Sequence, residues 1–107
     1  MNSNRRVTAR TALRSPATVV LPGGVTRAVR MSDLAIDGAS LMSERPIPQG
    51  SSVELRLDLP GAGAPASVVA TARVVYSSYL GPAEFKIGLV FTQLDAASAA
   101  AITAFMV

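Results

Sequence analysis

Two groups of residues in this chain have the chemistry to hold a small anion. Near the N-terminus Arg5 and Arg6 are adjacent, and Arg10 follows four positions after Arg6. Further along, Asp33 opens the segment Asp-Leu-Ala-Ile-Asp-Gly, which ends at Gly38. Arginine presents a planar fork of donors that fits phosphate, a carboxylate accepts hydrogen bonds from N–H groups, and glycine allows close backbone approach. Together these residue types predict a clamp for an anionic ligand with a base-like hydrogen-bonding face.

One predicted hairpin brings the two groups together. Two β-like segments, at about residues 16–21 and 25–34, are joined by Pro22-Gly23-Gly24. If the hairpin folds about Gly23, Asp33 lies opposite Leu13, so the preceding arginines emerge beside the aspartate. The first twelve residues are polar and basic without a usable period. We therefore expect a flexible arm over 1–12 and one folded domain over 13–107.

Hydrophobic periodicity predicts the remaining elements. Apolar and polar residues alternate with the period of a strand in several further segments, at about 39–42, 53–59, 66–76 and 85–91. Asp37-Gly38 is predicted to form a hairpin turn, since glycine tolerates positive φ. The segment Ser77–Ala83 is polar and contains Gly-Pro, which favours a connection. Asp95 is a good N-cap for a helix over about 96–106.

These elements define the fold class that we expect. Short antiparallel strands followed by one terminal helix predict an all-β domain, a six-stranded antiparallel β-barrel plus a C-terminal α-helix. The helix carries an apolar stripe of Ile102, Phe105 and Met106, which we expect to pack on the sheet.

Composition narrows the class of function. The chain has 107 residues, half of them hydrophobic, and a net charge of +3, which is consistent with one foldable domain. Four arginines lie within the first 14 residues, namely Arg5, Arg6, Arg10 and Arg14, and the first acidic residue is Asp33. An uncompensated basic segment points to an anionic partner. There is no histidine or cysteine, so most metal sites and nucleophile–base pairs are unavailable. We expect no enzyme activity, no metal site and no cofactor.

The same inventory bears on location. No apolar run approaches the roughly 20 residues that span a bilayer, and the polar start Met-Asn-Ser-Asn-Arg-Arg does not resemble a signal peptide. We expect no membrane span and a cytoplasmic protein.

The order of these motifs resembles the PilZ domain, a bacterial receptor for cyclic di-GMP. The family pattern is RxxxR followed by (D/N)xSxxG. Arg6 and Arg10 match the first motif, with Arg5 as an additional arginine, and Asp33 and Gly38 match the second. Later segments also resemble the family's strands, namely Val-Val-Tyr at 74–76 and Ile-Gly-Leu-Val-Phe at 87–91. The resemblance covers about residues 5–107 and implies the barrel fold.

The resemblance also implies roles for the residues. Arg6 and Arg10 would meet phosphate oxygens and guanine O6 or N7 edges, and Arg5 could stack on a guanine face. Asp33 would accept from guanine N1–H and N2–H, and Gly38 would let the backbone approach the ligand.

One position departs from the family pattern. Ala35 stands where the family has serine, which removes one hydroxyl that would bond the ligand. A single such bond is worth about 0.5–1.5 kcal/mol, so the resemblance implies weaker binding rather than none.

Two other classes of function remain open at the level of sequence. One is a degenerate PilZ domain that acts as a protein-interaction adaptor, which the alanine at position 35 favours. The other is a nucleic-acid binder that uses the basic arm on a small barrel. Only five residues are aromatic and most fall at inward-facing positions, so a stacking platform for a nucleic-acid polymer is not predicted. For the receptor, closure of the arm would change the surface offered to a protein effector in trans.

Overall fold

The fold begins with a β-hairpin around two glycines. This computed structural model describes residues 9–60 and 65–106. Strands β2 (Pro16–Val20) and β3 (Thr26–Leu34) pair antiparallel. Between them Gly23 and Gly24 both have positive φ, 92° and 88°, which glycine adopts without steric cost. The hairpin predicted from the sequence is therefore present.

A two-residue strand precedes this hairpin. Strand β1 (Thr11–Ala12) pairs antiparallel with the end of β3. It lies beyond β2 along the same edge of β3, with residues 13–15 between the two strands. The prediction of a free arm over 1–12 is therefore wrong at its C-terminal end, because the unpaired edge of β3 holds Thr11 and Ala12 in the sheet. The rest of the predicted arm, residues 1–8, lies outside the described residues.

Four more strands complete the barrel. They are β4 (Gly38–Ser43), β5 (Ser52–Leu59), β6 (Ala66–Gly81) and β7 (Glu84–Leu94). Strand β6 continues through most of the segment that was predicted to be a connection, so that prediction is wrong for residues 77–81. Cross-strand pairing with β7 overrides the polar character of Ser77 and Ser78, and the turn is reduced to Pro82-Ala83, where Ala83 has φ 57°.

The six long strands close into a barrel. Their order is β3-β2-β5-β6-β7-β4, and β4 pairs with β3 to close the ring, all in antiparallel register. This confirms the predicted six-stranded antiparallel barrel with one terminal helix. The interior is filled by inward-facing residues of every long strand, whose largest fully buried members include Met31, Leu34, Leu41, Leu55, Val68 and Ile87.

The terminal helix closes one side of the barrel. Helix α1 (Ala96–Met106) has the predicted bounds, and its Ile102 is fully buried while Phe105 and Met106 pack against the core. At its start the backbone N–H of Ser98 donates to Asp95 Oδ1 at 2.7 Å, which makes Asp95 the N-cap.

The same serine joins the helix to the sheet. The N–H of Val69 donates to Ser98 Oγ at 3.0 Å, in a stretch of β6 that lies beyond the paired part of β7.

Among the described residues, no helix has the length and apolar character that crossing a membrane requires.

Candidate functional site

A row of outward-facing residues crosses five strands on one side of the barrel. The pairings run from Ala12 to Asp33, from Asp33 to Ser40, from Ser40 to Gly88 and from Gly88 to Tyr76. We call these five residues the Asp33 row. It links the N-terminal strand, the aspartate of the sequence motif and the long β6–β7 hairpin, which sequence alone does not place side by side.

A β-bulge in β3 turns Asp33 to the outer face. Strict alternation predicts Met31 and Asp33 on the same face, with Leu34 on the other. The register with β4 instead shifts between Met31 and Asp33, and both Met31 and Leu34 are buried in the core. Ser32 is thus the extra residue of the bulge, which re-aims the following side chain. Strict alternation therefore places Asp33 on the wrong face, because a period-two pattern cannot reveal an inserted residue.

The bulge brings Asp33 to Arg10. Nη1 of Arg10 donates to Oδ1 of Asp33 at 2.7 Å, and their side chains are 49% and 25% exposed. Arg10 stands just before β1, so the pairing of Ala12 with Asp33 sets this contact. The sequence predicted that Leu13 would lie opposite Asp33. The observed register is one residue earlier, and the N–H of Leu13 donates to the carbonyl of Ser32 instead.

The glycine of the second motif has a different local role from the one predicted. Gly38 does not have positive φ, so it is not the left-handed residue of a hairpin turn. It is the first residue of β4, and a Cβ built on it would lie 2.3 Å from the backbone O of Leu89 on β7. The absence of a side chain is therefore required by the close approach of two strands.

The position that departs from the family pattern lies in the turn before β4. Ala35 is fully buried, and its N–H donates to the carbonyl of Gly38 at 2.9 Å. The turn is also held from β7, since the N–H of Phe91 donates to the carbonyl of Asp37 at 2.9 Å. Position 35 is consequently a packed position next to the Asp33 row.

Two sequence-predicted arginines fall outside the part of the chain that the structure describes. Arg5 and Arg6 precede residue 9, so the contacts predicted for them stay predictions. The structure brings Arg10 and Asp33 into direct contact, and it places Ala35 and Gly38 at the turn and strand that follow Asp33.

Sequence reasoning did not identify the other members of the row. The ring of Tyr76 lies against Gly88, where an added Cβ would be 2.1 Å from Tyr76 Cε2. Tyr76 is 39% exposed, so an aromatic surface stands at the far end of the row. Ser40 lies in the middle and is almost fully buried. The position of Ser40 opposite Asp33 depends on the bulge in β3, and the position of Tyr76 depends on the register of β6 with β7. Neither feature has a local sequence signal.

Two further arginines extend the positive charge beside the row. Arg14 and Arg30 line a cleft of about 240 Å³ together with Ser32 and Met42. Within residues 9–60 and 65–106, neither arginine forms an ion pair or a side-chain hydrogen bond. Met42 pairs with Arg30 and stands two residues from Ser40 on β4, so this cleft lies about 7 Å along the strands from the Asp33 row.

Backbone bonds hold one of these arginines in place. On one side of Arg14, the N–H of Leu13 donates to the carbonyl of Ser32; on the other, the carbonyl of Ser15 accepts from the N–H of Met31. Fixed flanking residues reduce the entropy lost when the Arg14 side chain binds an anion. The proximity of Arg14 to β3 could have been inferred from the hairpin register, whereas the absence of an acidic partner among the described residues could not.

Comparison with known proteins identifies the family. A family profile described as the PilZ domain matches residues 4–107. No curated protein matches the sequence significantly.

Solved structures share the fold at low sequence identity. The Bacillus subtilis inhibitor of motility (MotI/DgrA) superposes with a TM-score of 0.82 at 16% identity, covering 96% of this chain and 50% of that protein. The Borreliella burgdorferi PlzA protein, solved in complex with c-di-GMP, gives 0.69 at 13% identity and covers 95% and 41%. The PilZ domain of CeSA from a cellulose-synthesizing bacterium gives 0.64 at 17% identity and covers 89% and 91%. This chain thus spans half or less of the first two proteins.

Proposed function

This chain belongs to the PilZ domain family, and we propose that it is a receptor for cyclic di-GMP that binds the ligand on the Asp33 row. The observation that carries the proposal is the exposed contact between Arg10 and Asp33. It places a forked cation and a hydrogen-bond acceptor side by side on an open face. A ligand that joins phosphates to guanine bases needs this combination of groups.

On binding, Arg10 and Asp33 can exchange their contact with each other for contacts with the ligand. Arg10 donates to phosphate oxygens or to guanine O6 and N7, with bidentate geometry available for either. Asp33 then accepts from guanine N1–H and N2–H. Because the ion pair is partly exposed, breaking it costs little, typically about 0–1 kcal/mol. Arg5 and Arg6 add phosphate or stacking contacts from the segment that precedes Arg10.

The two ends of the proposed site suit different parts of the ligand, one end a guanine base and the other a phosphate group. The exposed ring of Tyr76 offers a face on which a guanine base stacks, and base–aromatic stacking is worth about 1–3 kcal/mol. Arg14 and Arg30 supply two guanidinium groups without acidic partners among the described residues, which suits a second phosphate group. The proposed site therefore runs from the stacking surface to the cationic cleft.

Binding has a consequence for signalling under this proposal. The N-terminal arginines close over the ligand and change the surface next to β1, which a protein effector in trans then recognises. The receptor acts in the cytoplasm and does not catalyse a reaction.

Calorimetric titration with matched ligands tests the proposal. Cyclic di-GMP should bind, and cyclic di-AMP should bind at least tenfold more weakly, because adenine N1 has no hydrogen for Asp33 to accept. A single-stranded oligonucleotide at the same ionic strength separates specific binding from general attraction of the basic chain to phosphates. Absence of binding of cyclic di-GMP at high micromolar concentration would support the adaptor alternative. Binding of the oligonucleotide alone would support a nucleic-acid binder.

A further inference from the structure

Three serine hydroxyls are buried without a hydrogen-bond partner among the described residues. They belong to Ser15, Ser40 and Ser77. Ser77 pairs with the buried core residue Ile87 and therefore shares the inner face of the barrel. Ser40 is different because it lies in the middle of the Asp33 row, yet it is only 2% exposed.

The neighbours of Ser40 do not satisfy its hydroxyl. On one side Asp33 accepts from Arg10 at 2.7 Å rather than from Ser40. On the other side Gly88 has no side chain, and the ring of Tyr76 lies over its Cα. A buried hydroxyl without a partner is costly, and such groups are uncommon in native proteins. The Ser40 hydroxyl has no partner among the described residues and lies in the middle of a candidate binding face, so a ligand on that face could supply the missing partner.

We propose that the Ser40 hydroxyl is a ligand-binding group of the Asp33 row, and that it bonds the bound cyclic dinucleotide. This inference rests on the proposed function and assigns one further contact within the same site. A hydroxyl both donates and accepts, so it fits either a guanine edge or a phosphate oxygen. Its neighbours in the row are Asp33, which Arg10 contacts, and Gly88, which the ring of Tyr76 covers. Rotation of the Arg10 and Tyr76 side chains would leave the backbone of the row unchanged. Ser40 thereby supplies the kind of contact that Ala35 cannot make.

The test uses two serine-to-alanine variants that differ only in their place in the barrel. Ser40→Ala removes an unsatisfied group from the free protein, so its Tm without ligand should rise, by roughly 4 °C. The same variant should bind cyclic di-GMP about two- to twelve-fold more weakly than wild type, because one hydrogen bond is lost. Ser77→Ala is the matched control. It should also raise the Tm but leave the affinity unchanged.

A third variant guards against a change in packing. Ser40→Cys keeps one heavy atom on Cβ, a larger sulfur, and replaces the hydroxyl with a weak donor, so it fills the space that alanine leaves empty and should also bind more weakly. If wild type binds cyclic di-GMP and both Ser40 variants bind it equally well, the role of Ser40 is overturned while the proposed function stands. If wild type does not bind, both are overturned. A parallel loss of affinity in Ser77→Ala would also reject a specific role for Ser40.

Discussion

At the scale of single residues, the proposed site makes the contact between Arg10 and Asp33 more important for binding than for stability. Both side chains are partly exposed, and exposed ion pairs contribute about 0–1 kcal/mol to folding. A charged hydrogen bond to a desolvated ligand is stronger, about 1.5–3 kcal/mol.

Replacement of Arg10 should therefore separate binding from folding. We expect Arg10→Ala to weaken binding of cyclic di-GMP by at least tenfold, with little change in Tm, as measured by calorimetry and thermal denaturation. Arg56→Ala is the matched control, since Arg56 forms an exposed ion pair with Glu54 on β5, away from the Asp33 row. An equal loss of affinity in both variants would mean that net charge, and not the Arg10 contact, attracts the ligand.

Ala35→Ser tests the position at which the chain departs from its family. The resemblance predicts that a serine gains about 0.5–1.5 kcal/mol of binding, roughly two- to twelve-fold. Because Ala35 is fully buried, the new hydroxyl should lower the Tm of the free protein. Paired titrations and melting curves of wild type and variant check both effects. Unchanged affinity in a folded variant would show that this position does not contact the ligand.

At the scale of elements, the backbones of β4 and β7 approach each other closely at Gly38. Gly38→Ala would place Cβ 2.3 Å from the backbone O of Leu89, which cannot move as a flexible side chain would. We expect a loss of about 1–3 kcal/mol and a lower Tm. Gly81→Ala is the control, since its Cβ would meet only the end of the Glu84 side chain at 3.3 Å. Equal Tm values for the two variants would contradict the role assigned to Gly38.

How far the sequence predicts these elements depends on whether the signal is local. The helix bounds follow from an N-cap and an alanine-rich segment, and the β2–β3 hairpin follows from two glycines in its turn. The outward face of Asp33 does not follow, because the bulge at Ser32 is defined only by pairing with β4. The length of β6 was likewise missed, since β7 determines it.

At the scale of the whole molecule, the candidate site exists only in the closed barrel. Arg10, Asp33, Ser40 and Tyr76 come from four different strands or their edges. Their arrangement depends on the pairings of β3 with β1 and β4, and of β7 with β4 and β6. Arg10 and Asp33 could be predicted from the sequence motifs because both lie near the local β2–β3 hairpin. Ser40 was not predicted because its place opposite Asp33 depends on the bulge in β3. Tyr76 was not predicted because its place depends on the register of β6 with Gly88 of β7.

The terminal helix closes one side of the barrel on which the site depends. Conditions that weaken this helix should therefore lower the stability of the whole molecule, and acid pH is one such condition. The backbone N–H of Ser98, and then its hydroxyl, hold the pKa of Asp95 below its ordinary value. A lowered pKa in the folded state contributes stability that is present above the unfolded value, about pH 4. That contribution is lost as pH falls through the folded pKa. The Tm of the wild type should consequently fall below about pH 4.

Asp95→Asn isolates this contribution, since it keeps an oxygen acceptor for the Ser98 N–H but cannot titrate. We expect the Tm difference between wild type and Asp95→Asn to be largest near neutral pH and to shrink as the pH falls through the folded pKa of Asp95. Asp95→Ala removes the cap altogether and should have a lower Tm than Asp95→Asn at every pH. Melting curves of the three proteins from acid to neutral pH measure these differences. A constant difference between wild type and Asp95→Asn across that range would show that the charge on Asp95 does not stabilise the helix that closes the barrel.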